Sequence, residues 1–261
     1  MYGFEALLFD VDGTLADTER DGHRPAFNAA FAEAGLDWEW DPSLYGELLA
    51  VTGGKERIRY YLEHWRPDWR GPADLDGFIA DLHRSKTRHF VAMLREGRIP
   101  LRPGVLRLLR EAREAGVRLG IVTTTTPENV TVLLESCGGP GMVGWFEVIA
   151  AGDVVPRKKP APDIYLWALD RLALPPGACI AFEDSDHGVR SAAGAGLAAI
   201  VVTESAYTAG QDFSGATVVL DQLGEPGRPC KVLAGGASGI EYIDLAALER
   251  VSARARGGAG S

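Results

Sequence analysis

Residues 6–18 read ALLFDVDGTLADT, an apolar run that delivers two carboxylates into a glycine turn. Ala6, Leu7, Leu8 and Phe9 form the continuous run expected of a strand buried on both faces of a parallel sheet. Gly13 ends it. Asp10 and Asp12 therefore fall at the carboxyl end of a strand, on the same side, where open α/β sheets place their ligands. Carboxylates so close repel each other. A divalent cation relieves the repulsion, and Mg²⁺ prefers oxygen ligands from one or two carboxylates together with substrate phosphate. The segment thus points to phosphoryl chemistry. The alternative is an acid pair in a turn that caps a helix, and it accounts for none of the motifs downstream.

Outward from this stretch the pattern changes twice. From about residue 17 to residue 97 the chain is rich in helix formers with apolar residues at three- and four-residue spacing. Helices are expected over 25–35, 43–50, 55–65 and 75–94. Trp38, Trp40, Trp65 and Trp69, four of the six tryptophans, lie in this insert and are expected mostly in packing. The alternation of strand and helix resumes after residue 101. Helices are expected over 105–115, near 128–135, over 162–172 and over 189–195. Strands are expected over 119–123, 146–150, 178–182 and 199–202. Beyond them, 217–220 reads as a strand, 231–234 as a weak strand, 244–251 as a short helix and 256–261 as a frayed tail. Such alternation implies βαβ units. The fold class is α/β: a Rossmann-like, doubly wound parallel sheet over residues 1–16 and 98–225, a helical domain inserted after the first strand over 17–97, and a C-terminal extension over 226–261.

Four polar groups stand at or beside the ends of expected strands: Asp10 with Asp12, Thr123, Lys159, and Glu183 with Asp184. Carboxyl ends of neighbouring strands in a doubly wound sheet converge on one crevice, so these distant residues are expected to meet. Asp10 is the candidate nucleophile and Asp12 the general acid that becomes the base for water. Mg²⁺ would be held by the Asp10 carboxylate, the Asp12 backbone carbonyl and Asp184, with Glu183 acting directly or through water. The Thr123 hydroxyl and Lys159 ammonium would grip the phosphoryl oxygens, with Thr124 and Thr125 as further substrate contacts. Singly these signals are modest. Lys158 and Lys159 could be a solvated pair, Glu183-Asp184-Ser185 could begin a helix, and Asn129 is read as beginning one. Order and spacing together carry the reading.

FDVDGT, VTT, KKPAPDIY and FEDSDHG resemble the four motifs of the haloacid dehalogenase-like superfamily. The insert resembles the mobile helical (C1-type) cap of its phosphatase and β-phosphoglucomutase branch. Within it DTERDGHRPAFNAAF, WDPSLYGELLAVTGGKERI and DLHRSKTRHFVAMLREG are similar to CbbY-type proteins, whose characterised members hydrolyse xylulose-1,5-bisphosphate at the 1-phosphate. The resemblance implies a Mg²⁺-dependent phosphatase acting on a sugar phosphate or bisphosphate through an aspartyl-phosphate. It also implies substrate contacts from Asp17 and His23, from Gly53, Gly54, Lys55 and Arg57 in GGKER, from Lys86 in RSKTR, and from Tyr45. A bisphosphate needs a second anion site, which Lys55, Arg57 and Lys86 could furnish. Arg59, Arg84 and Arg88 are read as solvated.

Rival functions within the resemblance are a β-phosphoglucomutase-like mutase and a phosphoglycolate phosphatase. A dehalogenase is disfavoured by Asp12, since halide leaves without a proton and a sugar alkoxide does not. A non-catalytic sugar-phosphate binder would be expected to lack Asp10. No glycine loop matches a Walker or dinucleotide-binding pattern.

Composition agrees with a globular enzyme. The 261 residues are 46% hydrophobic and 24% charged, and the net charge of -9 argues against nucleic acid as partner. No apolar run reaches spanning length, so no membrane is expected. The chain enters its first strand within about five residues, leaving no space for a signal peptide, and a cytoplasmic location is expected. Cys137, Cys179 and Cys230 are scattered and odd in number, as reduced structural thiols would be. A monomer or weak oligomer is expected.

Overall fold

The computed structural model describes residues 2–51, 53–236 and 239–258. It divides into two compact units, Met1–Asp17 with Pro100–Ser261 and, separately, Thr18–Ile99.

The first unit is a seven-stranded sheet. Its strands are β1 (Ala6–Phe9), β2 (Arg118–Val122), β3 (Val148–Ala150), β4 (Cys179–Glu183), β5 (Ala199–Thr203), β6 (Val218–Leu220) and β7 (Val232–Gly235), in the spatial order β3-β2-β1-β4-β5-β6-β7. All pairings are parallel except the last, where β7 runs antiparallel to β6. β1 lies between β2 and β4, with Phe9 in register with Ile121 on one side and Phe182 on the other. The strand order reverses at β1, the switch point at which such sheets open a crevice.

Alternation along the strands divides the core between two faces. Leu8, Val122, Ala181 and Ile200 pack with α7 (Asp163–Leu172) and α8 (Asp186–Gly194). The opposite face is covered by α5 (Val105–Glu114) and α9 (Leu245–Gly258), and there Phe9 stacks on Phe182 with ring centroids 4.3 Å apart. Continuous burial along β1, β4 and β5 explains their unbroken apolar sequences. α6 (Pro127–Gly138) follows β2, with the Thr126 side chain as its N-cap and Asn129 in its first turn.

The C-terminal stretch differs from the expectation of a short helix and a tail. α9 runs through to Gly258, held where Arg256 donates to the Gly3 carbonyl at 2.9 Å and to Ser252 Oγ at 2.7 Å. Arg256, in the range expected to fray, anchors the helix instead. The rest of the expected tail, residues 259–261, lies outside the described residues. β7, unlike the other strands, is exposed along its whole length.

The second unit is helical. A π-helical turn, Glu19–His23, leads into α1 (Arg24–Glu33), followed by α2 (Pro42–Leu48), α3 (Gly54–Trp65) and α4 (Leu75–Arg95). α4 packs against α1 and α3. Aromatic rings fill the centre: Trp40 lies 4.6 Å from Phe27, 4.9 Å from Phe31 and 5.4 Å from Tyr61. The Asn28 amide fixes Trp40 by bonding both its backbone N–H and its carbonyl. Asp41 and Asp74 cap α2 and α4. Trp38, Trp40 and Trp69 pack against other rings, while Trp65, at the end of α3, is exposed. No helix among the described residues is long and apolar enough to cross a membrane.

Candidate active site

The switch point gathers the acidic residues. Asp10 follows β1 directly, Thr123 follows β2, and Glu183 ends β4 with Asp184 next in the chain. Lys159 arrives from the segment between β3 and α7. Its ammonium donates to Asp10 Oδ1 at 2.7 Å, to Glu183 Oε1 at 2.6 Å and to the Val122 carbonyl at 2.8 Å. Three hydrogens meet three acceptors, which orients the Lys159 ammonium fully. The Lys159 side chain is 7% exposed, while that of its neighbour Lys158 is 52% exposed and pairs with Asp153.

Tyr165, on α7, donates its phenol hydrogen to Glu183 Oε1 at 2.5 Å, and its ring centroid lies 5.5 Å from the Lys159 ammonium. Both donors thus use one oxygen of Glu183. The other, Oε2, is buried without a hydrogen-bond partner. Donor atoms of Asp10, Glu183 and Asp184 all lie within 4.8 Å of one another, and all three residues are buried. The Asp12 carboxylate is not among them; its expected metal contribution is the backbone carbonyl.

Burial dominates the electrostatics. It pushes the Glu183 carboxyl up to about 7, against the pull of Lys159. Burial, and then the Asp10 charge, raises Asp184 as well. Burial alone would lower Lys159, but the Asp10 and Glu183 carboxylates outweigh it and hold the amine protonated. Three buried carboxyl groups thus share one ammonium, and burial favours their neutral forms.

Two glycines make room for the carboxylates. Gly13 has φ +84°, and a Cβ there would lie 2.0 Å from Asp184 Oδ2. At Gly188 a Cβ would lie 1.8 Å from Glu183 Oε2. Ser185 accepts from the Gly188 N–H as the N-cap of α8, so the helix-start reading of Glu183-Asp184-Ser185 is satisfied by the serine alone. The Thr123 hydroxyl is buried and accepts from the Thr125 N–H at 3.3 Å. Thr125 is partly buried and Thr124 exposed. Asp17 lies 3.8 Å from Arg102 Nε.

The remaining expected residues lie in the second unit. Lys86 Nζ meets His23 Nδ1 at 2.8 Å, while the His23 ring stacks on Phe90. Burial, with Lys86, Arg57 and His83, drives the His23 imidazole well below its usual range, so at neutral pH it accepts from the ammonium. Gly53 precedes α3 and Gly54 opens it; Lys55 is exposed in its first turn. Arg57 is buried there, bonding the Leu48 and Val51 carbonyls and the Tyr45 hydroxyl. Tyr45 in turn donates to Glu19 at 2.5 Å. Arg57 and Tyr45 thus brace α2 against α3. Arg59, Arg84 and Arg88 are exposed and each pairs with a carboxylate of its own unit.

Sequence reasoning missed three residues here. Tyr165 lies within KKPAPDIY, but a tyrosine on a helix gives no sign that it faces a carboxylate. His83, half-buried, has its ring against Gly54, and burial lowers its basicity. Arg102 spreads its guanidinium over backbone carbonyls, which sequence does not reveal.

A family model described as haloacid dehalogenase-like hydrolase matches residues 4–196. The chain belongs to that family. Within it, this hydrolase is 52% identical over 223 residues to protein CbbY of Cereibacter sphaeroides, covering 85% of this chain and 94% of that protein. It is 48% identical over 244 residues to the plasmid CbbY of Cupriavidus necator, covering 94% and 95%. Among solved structures, a mutant CbbY from Rhodobacter sphaeroides in complex with xylulose-(1,5)bisphosphate superposes with a TM-score of 0.71 at 51% identity, over 84% of this chain and 94% of that one.

Proposed function

We propose that this hydrolase is a Mg²⁺-dependent phosphatase of sugar phosphates that acts through an aspartyl-phosphate on Asp10, with xylulose-1,5-bisphosphate its leading substrate and the 1-phosphate the group removed. The observation that carries the reading is the buried Asp10 carboxylate, held by Lys159 beside an unpartnered Glu183 oxygen. The CbbY relatives, one with xylulose-(1,5)bisphosphate bound, support the substrate.

The acidic cluster fits Mg²⁺ on its own chemistry. Its donors are all hard carboxylate oxygens, and one of them is a buried acceptor left without a hydrogen. Asp10, Asp184 and the Asp12 carbonyl would hold the ion, with Glu183 direct or through water. When bound, it offsets the charge of the acids and of the phosphoryl oxygens.

The chain's own residues account for the steps. A carboxylate oxygen of Asp10 attacks phosphorus while the bond to the sugar oxygen breaks, and Asp12 gives that oxygen its proton. Asp12, now a carboxylate, takes a proton from water as the water oxygen attacks phosphorus, and Asp10 is released with inorganic phosphate. Lys159 and Thr123 stabilise charge on the phosphoryl oxygens throughout. In the helical unit, Lys55, Lys86 and His23 are our candidates for the second phosphoryl group and the sugar hydroxyls. Arg57 and Tyr45 act there as scaffold.

The test is phosphate release with Mg²⁺ from xylulose-1,5-bisphosphate, ribulose-1,5-bisphosphate, phosphoglycolate and β-glucose-1-phosphate, with Asp10→Asn as control. Preference for the first, abolished in the control, is expected. Conversion of β-glucose-1-phosphate to glucose-6-phosphate without phosphate release would make the enzyme a mutase. Substantial turnover by Asp10→Asn would remove the nucleophile assignment.

A further inference from the structure

Arg102 follows closely on Pro100, where the chain re-enters the first unit. Its backbone N–H donates to the Leu15 carbonyl at 2.8 Å, and neighbouring Leu101 bridges antiparallel to Ala16. The returning segment therefore lies along the loop that follows β1. From there the buried side chain reaches three separate parts of the sheet's carboxyl edge. Nη1 donates to the Gly13 carbonyl and to Thr203, at 3.0 Å to the carbonyl and 3.3 Å to the hydroxyl. Nη2 donates to the Glu204 carbonyl at 2.7 Å and the Asp221 carbonyl at 2.8 Å. Nε faces Asp17 at 3.8 Å. The loop after β1, the end of β5 and the end of β6 are thus joined through one planar group.

Guanidinium chemistry suits this task and ammonium chemistry does not. Five donors in a fixed plane can serve acceptors from three chain segments, whereas a lysine has three donors on one nitrogen. The acceptors are mostly neutral carbonyls, so the arrangement is a clamp on backbone rather than an ion pair. Its placement matters because of Gly13, whose Cα packs against the Asp184 carboxylate while its carbonyl is held by Arg102. Asp12 is covalently attached to that gripped residue.

We propose that Arg102 is a positioning residue for Asp12: by pinning the Gly13 peptide to the ends of β5 and β6, it sets the place from which Asp12 hands its proton to the leaving sugar oxygen. The inference rests on the phosphatase reading, in which Asp12 is the acid. A residue that only stabilised the fold would affect all substrates alike. One that places a general acid affects a leaving group in proportion to its need for a proton.

The experiment compares Arg102→Lys and Arg102→Gln with Asp12→Asn and the unaltered enzyme. It measures kcat/KM for p-nitrophenyl phosphate and for the sugar phosphate turned over fastest in the panel above. This constant reports steps through phosphorylation of Asp10, and p-nitrophenolate leaves without protonation whereas a sugar alkoxide does not. The ratio of the two values is independent of the folded fraction, so lost stability does not disturb it. Asp12→Asn is expected to lower the sugar phosphate value at least about 100-fold more than the other. Arg102→Lys is expected to move the ratio the same way by about 10-fold or more. Equal losses on both substrates in the Arg102 variants, with Asp12→Asn discriminating, would overturn the inference and leave the phosphatase reading intact. No discrimination by Asp12→Asn would remove the acid assignment and the inference with it. Failure of both Arg102 variants to fold would make Arg102 a folding residue and overturn the proposal.

Discussion

The Tyr165 hydroxyl and the Glu183 carboxylate meet at 2.5 Å on the oxygen that Lys159 also engages, which leaves the second carboxylate oxygen buried without a hydrogen-bond partner. Tyr165→Phe keeps the ring beside Lys159 and deletes only the donor. Its unfolding free energy should fall by about 1–3 kcal/mol, the range for a buried group losing its partner, in urea denaturation. The Mg²⁺ concentration for half-maximal phosphate release should rise, because Glu183 is freer to rotate. An unchanged Mg²⁺ dependence would show that the carboxylate is oriented without the phenol.

Gly188→Ala tests the space around the same group. The added methyl would lie 1.8 Å from Glu183 Oε2, and the carboxylate is the part that can move. We expect turnover to fall by about 100-fold with a stability loss of only about 1 kcal/mol, in line with the tight positional tolerance of catalytic groups. Calorimetry alongside phosphate release checks this; a loss of folding with retained specific activity would contradict it.

The adjacent lysines should separate cleanly. Lys159→Ala removes the cation shared by Asp10 and Glu183 and should lower kcat by about 100-fold or more, as when a donor to developing phosphoryl charge is lost. Lys158→Ala breaks only an exposed pair with Asp153 and should change kcat less than about 3-fold. Comparable effects would mean that the loop as a whole, rather than the buried amine, is responsible.

His23 should make the protein acid-sensitive. Its folded-state basicity lies well below the ordinary value of 6.5, first because it is buried and then because Lys86 is adjacent. Below about pH 6.5 the unfolded chain binds a proton there that the folded chain does not, so stability falls as pH falls through this window. Thermal unfolding between pH 7.5 and pH 5.5 should show a larger drop for the unaltered protein than for His23→Gln. Parallel curves would show that His23 does not contribute to the acid sensitivity.

The core site was legible because its residues are tied to strand ends, and strand ends show in sequence. Asp10, Thr123 and Glu183 each follow or finish an apolar run, so the parallel sheet alone brings them together. Lys159 was readable by motif, but nothing local distinguishes it from Lys158; only in the folded sheet does Lys159 reach Asp10, Glu183 and the Val122 carbonyl while Lys158 pairs with exposed Asp153. Arg102 and Tyr165 were invisible for a different reason. Arginine before a proline and tyrosine on an amphipathic helix are ordinary, and their partners are carbonyls and a carboxylate far away in the chain. Arg57 illustrates the reverse case. Its basic motif pointed to an anion and gave no sign that the guanidinium also bonds the Leu48 and Val51 carbonyls.

Periodicity and the order of the polar residues by themselves determined the α/β class, the helical insert after β1 and the acidic cluster. These are consequences of spacing along one chain, and the hydrophobic pattern encodes spacing directly. Tertiary structure alone decided which oxygen of Glu183 stays unpartnered, which lysine is buried, that α9 extends to Gly258 and that Arg102 clamps the Gly13 carbonyl. Each depends on the direction of a side chain or backbone group across contacts between distant segments, and those directions are set only when the sheet and its covering helices pack together.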